Sequence, residues 1–467
     1  MSLLQGLFFP DRVAHPSVYE CKYIQQPVKF TPVNEGAIKI LASDSVPMIE
    51  LNVKKRNSFL LFDDFVWEWS VTTDRDFPLA KGSFLLLDCA ITLSIALSGL
   101  QWTDTDVEVV MPEHYWLNIS GRMKNDTKWC RKNHEVVSEQ LQLNVDFGGY
   151  QHPSTQTKNI HSKQQNHARE SINMQALSTK LLIKRNDSNC VAFNKETGLI
   201  NGFSLSNGKE ILMKEISPNF TRAETDNDRG GVEVVRGFFD FPLLIDLGTV
   251  LYNLSRSFSF HWFSAGLSAT NPPILECTNF ESSIDNSKQF PVHHIESKCT
   301  LYSAHPKHAI MTVDIHYQIL ASSRVDFCTS VCPTKLLRNI PSLPRIGNRF
   351  VLHPSLFYVT YFGNGPFETY PDRKSSAQVR LWKTTALDMH VNYIVPGENG
   401  NRTDCRWVCF MDGCGSGLMI LSDSLFHFSA NLHSQEELHC AKHTSDLEVR
   451  ENGKDSIYGA FDFVSFG

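Results

Sequence analysis

Three observations predict an all-β chain: apolar and polar residues alternate with a period of two in several runs, turn sequences separate those runs, and no long, capped run of 3.6 periodicity occurs. A strand points successive side chains to opposite faces, so Phe65, Trp67, Trp69 and Val71 read as the buried set of one half-buried strand. Leu141, Leu143, Val145 and Phe147 give a second. A third has Met311, Val313, Ile315, Tyr317 and Ile319 buried, with Thr312, Asp314, His316 and Gln318 between them. The most membrane-like stretch, 84–100, carries Asp88 and then alternates Ile91, Leu93, Ile95 and Leu97 with small or polar residues, which makes it a strand. Between Cys190 and Leu212 the turns KETG and SNGK separate apolar runs. Asn207–Gly208 is expected to form a two-residue type I′ turn, whose central residues both need positive φ. Residues 407–410 and 418–421 read as hairpin arms around GCGSG. A dinucleotide loop would need glycine where Leu418 stands and a helix after it. Ser416 lacks the glycine frame of a nucleophile elbow, since Cys414 and Leu418 occupy those positions.

Composition narrows the function classes. A chain of 467 residues with 42% hydrophobic content can fill two or three cores. A formal charge of -6 leaves no broad basic surface, so neither nucleic acid nor an anionic membrane is an expected partner, and neutral ligands fit better. MSLLQGLFFPDR has no basic region ahead of its apolar run, so a secretory signal is not expected and a cytoplasmic location is. The twelve cysteines lack disulfide-scaffold density. Neither Cys328 with Cys332 nor Cys405, Cys409 and Cys414 has zinc spacing. Six Asn-x-Ser/Thr sequons (Asn118, Asn125, Asn186, Asn219, Asn253, Asn401) are read as chance in an unexported chain.

Residues 149–175 are rich in Gln, Asn, His and Ser and nearly empty of large apolar side chains, so they cannot offset their ordering entropy and read as linker. His152, His161 and His167 within it lack the spacing and frame of a metal site. The expected organisation is a short lead-in at 1–22, a β-sandwich at 23–148, a polar linker at 149–178 and a large β domain at 179–467.

Three segments carry a family resemblance: GLFFPDRVAHPSVYE at 6–20, FTRAETDNDRGG at 220–231 and YFGNGPFETYPDRKSSAQVRLWKTTALDMHVNYIVPGENG at 361–400. With LPRIG at 343–347 they follow the order found in lacZ-like β-galactosidases, and the chain resembles the C-terminal half of that family. The resemblance implies an immunoglobulin-like sandwich as the fourth domain and a supersandwich similar to galactose mutarotases as the fifth. It also implies a family activity, retaining hydrolysis of terminal non-reducing β-D-galactosides. Both catalytic glutamates, and magnesium, belong to a (β/α)₈ barrel that precedes the GL..PDR..HP segment. No catalytic residue, metal ligand or cofactor is therefore expected here, and the chain alone is expected to be inactive. Partners implied are a β-galactoside or other neutral sugar and a barrel-bearing portion or subunit, with homo-oligomerisation left open. The alternative is a noncatalytic carbohydrate-binding or assembly subunit of a split enzyme. The family's GGDDSW segment, whose tryptophan lines the sugar pocket, has no counterpart after Arg450, so the last domain reads as shortened. The loop 232–258 reads as longer than the family's.

The candidate carbohydrate-binding residues are polar groups on turns. Asp226 and Asp228 flank Asn227 and would share a face about 7 Å apart if the run were extended; scaffolding by an Arg222–aspartate pair is the competing reading. Glu368, Tyr370, Asp372 and Arg373 follow a Gly-Pro turn and Glu398 occupies a second turn, where carboxylates could bind hydroxyls while Tyr370 stacks on a sugar ring. By likeness to the mutarotase-type fold, Arg222, His390 and Glu398 would converge on a concave sheet face. Turn-stabilising bonds would explain the same residues.

Overall fold

The computed structural model describes residues 7–34, 38–41, 46–56, 61–73, 78–88, 90–98, 114–146, 172–185, 189–205, 207–230, 257–287, 291–320 and 324–462. The chain divides into two compact units, Met1–Asn166 with Phe362–Trp382, and His167–Tyr361 with Lys383–Gly467.

The first unit opens with helix α1 (Pro16–Ile24), where Pro16 at the first turn forgoes no intrahelical bond. Strands β1 (Val28–Pro32), β2 (Ile38–Leu41), β3 (Met48–Lys55), β4 (Phe65–Thr73), β5 (Pro78–Phe84), β6 (Thr92–Ala96), β7 (Tyr115–Met123) and β8 (Glu135–Asp146) follow. They form a three-stranded sheet, β1-β3-β6, and a five-stranded sheet, β2-β8-β7-β4-β5. Pairing is antiparallel except between β2 and β8. Inward residues of both sheets share one core, with Phe30, Leu51, Val53 and Ile95 from the smaller sheet and Trp67, Trp69, Leu117 and Ile119 from the larger. Phe30 meets Trp67 edge-on at 5.7 Å. Register sets Gly121 opposite Trp67 and Gly82 opposite Trp69. A Cβ there would stand 2.6 and 2.7 Å from indole atoms, so glycine is what lets each indole lie across the neighbouring strand.

Residues 362–382, which the family resemblance assigns to the last domain, pack within this first unit. Phe362 meets Trp116 at 5.5 Å and Phe367 stacks on Tyr19 of α1 at 4.4 Å. Gln140 of β8 bonds both backbone groups of Val379, accepting at 2.7 Å and donating at 3.2 Å.

The second unit holds β9 (Ile172–Ala176), β10 (Lys180–Arg185), β11 (Asn189–Asn194), β12 (Leu199–Ser204), β13 (Leu212–Asn219), β14 (Ile274–Asp285), β15 (Val292–Tyr302), β16 (Ala309–Ile319), β17 (Val325–Pro333), β18 (Gly347–Leu352), β19 (Tyr358–Gly365), β20 (Gln378–Thr385), β21 (Arg402–Met411), β22 (Gly417–Asn431) and β23 (Ile457–Asp462). Residues 362–365 of β19 and 378–382 of β20 group with the first unit. Short helices α2 (Asp226–Arg229), α3 (Phe258–Ser264), α4 (Ala386–Met389) and α5 (Gln435–Cys440) connect them. One sheet runs β20-β19-β21-β22-β23-β18-β13-β12-β11-β10-β9 and the other β14-β15-β16-β17. Phe193 of β11 meets Tyr317 of β16 at 5.1 Å, and Ser297 of β15 donates to Gly198 O at 2.7 Å.

The fold is all-β, and no (β/α)₈ barrel occurs among the described residues. Strand β9 occupies part of the stretch expected to be linker, because Ile172–Ala176 pairs in register with β10; 147–171, with His152, His161 and His167, lie outside the described residues, as does most of the 232–258 loop. The Asn207–Gly208 turn also differs from expectation. Gly208 has φ 79°, and its N–H bonds Leu205 O while Leu205 N–H bonds Lys209 O, which is the longer hairpin loop with glycine in the left-handed position. Of the sequons, Asn118, Asn219 and Asn401 are buried and so are closed to glycosylation in the folded chain.

The register of β18, β23 and β22 separates two faces. Phe350, Phe461 and Phe428 share one face, and Phe350 packs on Phe410 and Phe461 at 5.4 and 5.9 Å. The opposite face carries Asp462, His427, Ser429 and Asn431, and all four are buried. A buried polar face is unusual in a sheet and demands partners for every group.

Candidate functional site

At one edge of that polar face a single guanidinium holds two carboxylates. Arg345, just before β18, approaches Asp462 Oδ2 through Nε at 2.7 Å and Glu398 Oε1 through Nη2 at 2.9 Å. All three side chains are under a tenth exposed. Burial pushes the Asp462 carboxyl up to about 6; Arg345 pulls it down and the Glu398 charge pushes it further up. Gly347 permits the approach, since a Cβ there would lie 2.3 Å from Asp462 Oδ1. Glu398 is thus where the sequence placed it, on a turn, but it faces an arginine inside the fold.

The run after Phe220 is not extended. Thr225 caps the one-turn helix α2: its Oγ1 accepts the Asp228 N–H at 3.4 Å, and Asp228 Oδ2 accepts the Thr225 N–H at 2.9 Å. Asp228 is buried and pairs with Arg222 at 2.6 Å, whereas Asp226 and Asn227 are exposed. The shared face that an extended run would give Asp226 and Asp228 does not form, because a helical turn points them apart. Arg222 also lies over the Trp262 ring, 5.2 Å from its centroid.

His390 follows α4 and stands beside His433, ring centroids 5.4 Å apart. Asn431 Oδ1 accepts the His433 N–H at 3.0 Å, which turns Nδ2 toward Asn399 Oδ1 at 3.1 Å and His390 Nδ1 at 3.2 Å. Burial and the neighbouring His433 lower His390 to about 4, so its imidazole is neutral at physiological pH.

Glu368, Tyr370, Asp372 and Arg373 belong to a turn in the first unit. Tyr370 and Arg373 exchange backbone bonds at 3.1 and 2.9 Å, and Arg373 pairs with the buried Glu368. Arg373 lies 5.6 Å from the Tyr370 ring centroid, and Asp372 is exposed. Of the ten predicted residues, the four of this turn belong to the first unit, whereas Arg222, Glu398 and His390 are linked within the second: Arg222 acts on the Asp462 charge, a Cβ on Gly397 would stand 2.6 Å from Glu224 O, and Asn399 beside Glu398 accepts from Asn431, which also bonds His390. Arg345, Asn399, Asn431, His433 and Asp462 were not singled out from sequence. Arg345 lies in LPRIG and Asn399 in VPGENG, and Asp462 is a lone carboxylate in an apolar strand, which is the one signal that could have marked it.

Chemically, these contacts brace the fold. Retaining glycoside hydrolysis needs two accessible carboxyl groups about 5 to 5.5 Å apart. Glu398 and Asp462 are both buried and both committed to Arg345, so they do not offer that pair. Among the described residues no three His, Cys, Asp or Glu side chains converge as a metal set. Among the described residues no helix is long and apolar enough to cross a membrane.

Residues 185–457 match the family model described as beta galactosidase small chain, and residues 51–144 match that for beta-galactosidase domain 4. Similar curated proteins include the beta-galactosidase of Vibrio cholerae serotype O1, 28% identical over 95% of this chain and 36% of the relative. That of Alteromonas mediterranea is 27% identical over 95% of this chain and 38% of its own length, and that of Priestia megaterium 25% over 98% and 38%. The chain thus spans well under half the length of these relatives. By the match over most of its second unit and more than half its length, the chain belongs to the beta galactosidase small chain family.

Proposed function

We propose that this chain supplies noncatalytic β domains to a β-galactosidase-type retaining glycoside hydrolase, whose nucleophile, acid/base and magnesium reside on a barrel carried elsewhere. The reading rests on one observation: two β-galactosidase domain models match in order along the chain, which corresponds to only 36 to 38% of each named relative. The role left to these domains is to brace and complete the barrel, as a buried ionic cluster and a rigid sheet are suited to do. Mixing the purified chain with a barrel-bearing β-galactosidase fragment and measuring mass by light scattering tests this. A defined complex is expected, and two separate species at all concentrations would contradict it.

A second reading, a carbohydrate-binding subunit, is favoured by Arg222 Nε, Asp462 Oδ1 and His433 Nδ1, which are buried without a hydrogen-bond partner among the described residues. Hydroxyl-rich ligands satisfy such groups. Calorimetric titration with galactose and lactose decides: saturable binding lost in folded Arg222→Ala and Glu398→Gln variants supports it, and no heat of binding removes it.

A further inference from the structure

We propose that the loop joining β7 to β8 is a binding site for acidic polysaccharide, with Trp129 as the platform for a sugar ring and Lys124, Lys128, Arg131 and Lys132 as partners for its sulfate or carboxylate groups. Trp129 is 61% exposed, yet the loop that presents it is tightly held. Thr127 N–H bonds Cys130 O at 2.8 Å, Cys130 N–H bonds Thr127 Oγ1 at 3.0 Å, and Lys132 N–H bonds Asp126 Oδ1 at 2.7 Å. Asn133 takes φ 67° and its N–H returns to Met123 O at 2.8 Å, closing the loop on the strands. His134 buttresses the indole edge-on at 6.1 Å. A ring left in water by a fixed loop forgoes the burial that an aromatic of this size ordinarily finds.

The charges point the same way. The chain carries a formal charge of -6, but this loop sets four cations against the single carboxylate of Asp126, and none of the four has an ion pair among the described residues. Arg122, just before the loop, shows the contrast: Glu68 and Glu135 stand 3.9 and 3.6 Å from it. An indole face receives the C–H face of a pyranose, while ammonium and guanidinium groups around it pair with anions on the same chain. An acidic peptide would use the cations but brings no pyranose face to the indole, and the N–H groups of Thr127, Cys130, Lys132, Asn133 and His134 are already bonded within the loop and its strand ends. The inference goes beyond the β-galactosidase reading and stands without it, because binding is read on this chain with no catalytic partner.

The test measures binding of labelled chondroitin sulfate oligosaccharides to the purified chain at low and raised salt, with dextran as the neutral control and phosphatidylserine vesicles and polyglutamate as the other polyanions. The expected result is salt-sensitive binding of chondroitin sulfate and none of dextran. Trp129→Ala should weaken it about three- to tenfold while leaving the salt dependence intact. The triple variant Lys128→Ala, Arg131→Ala, Lys132→Ala should abolish it, and thermal melts should confirm that these exposed changes leave the fold intact. No binding by the parent chain would overturn the proposal. So would equal binding by Trp129→Ala, which would mean general attraction of polyanions, or Trp129-dependent binding to vesicles alone, which would assign the loop to a lipid surface.

Discussion

Between the sheets of the first unit the space is filled by rings and aliphatic chains, with Phe30, Trp67, Trp69 and Leu117 facing one another. In the second unit β18, β22 and β23 carry phenylalanine rings on one face, and on the other they bury Asp462, His427, Ser429 and Asn431. The first arrangement is held by area removed from water and tolerates no added volume. The second is held by matched charges and hydrogen bonds, so removing one partner costs more than the pair contributes. The units should therefore fail in different ways, and each failure can be read separately.

The largest effect is expected at Arg345. Arg345→Met strips the cation from Glu398 and Asp462 together and should cost about 3–5 kcal/mol. Hydrogen exchange would show it as lost protection of the amides in β18, β22 and β23, with β4 and β7 unaffected. Loss confined to surface turns would mean that the cluster is not part of the core.

Next comes pH. Because Asp462 is raised from 3.8 to about 6 in the folded state, the folded chain holds this proton more tightly than the unfolded one. Its contribution to stability is fully present below 3.8 and is lost as pH rises through about 6. Asp462→Asn removes that term, so denaturation of the two proteins across this window should give stabilities whose difference changes by on the order of 1–3 kcal/mol. Parallel pH profiles would show that Asp462 titrates as in the unfolded chain.

In the first unit the sensitive position is a glycine. Gly121→Ala drives a Cβ to 2.6 Å from the Trp67 ring and should cost about 1–3 kcal/mol, read by loss of exchange protection in β4 and β7. Arg122→Ala, one residue on, is the control. It breaks half-exposed pairs with Glu68 and Glu135 and an exposed hydrogen bond to Ser120, and should change stability by under about 1 kcal/mol. A larger loss at Arg122 than at Gly121 would reverse the account of what holds this unit.

Strand identity was largely legible in the sequence. The alternations at 65–71 and 311–319 became β4 and β16, and residues 407–410 and 418–421 became paired hairpin arms. Such patterns depend on neighbours in sequence, which a strand's period of two exposes directly. An Arg222–aspartate pair is also legible in the sequence, and the Thr-x-x-Asp capping pattern at 225–228 favours a helical turn over an extended run. The Arg345–Glu398–Asp462 cluster was not legible, because its members come from distant parts of the chain and no local pattern records that they meet. The same holds for residues 362–382, whose packing in the first unit depends on Trp116, Tyr19 and Gln140.

Turnover of an aryl β-galactoside by the purified chain, with and without a barrel-bearing β-galactosidase fragment that is inactive by itself, decides whether the chain braces a hydrolase without supplying its chemistry. No turnover is expected from the chain alone, and turnover is expected once the fragment is added; turnover by the chain alone would rule the bracing role out.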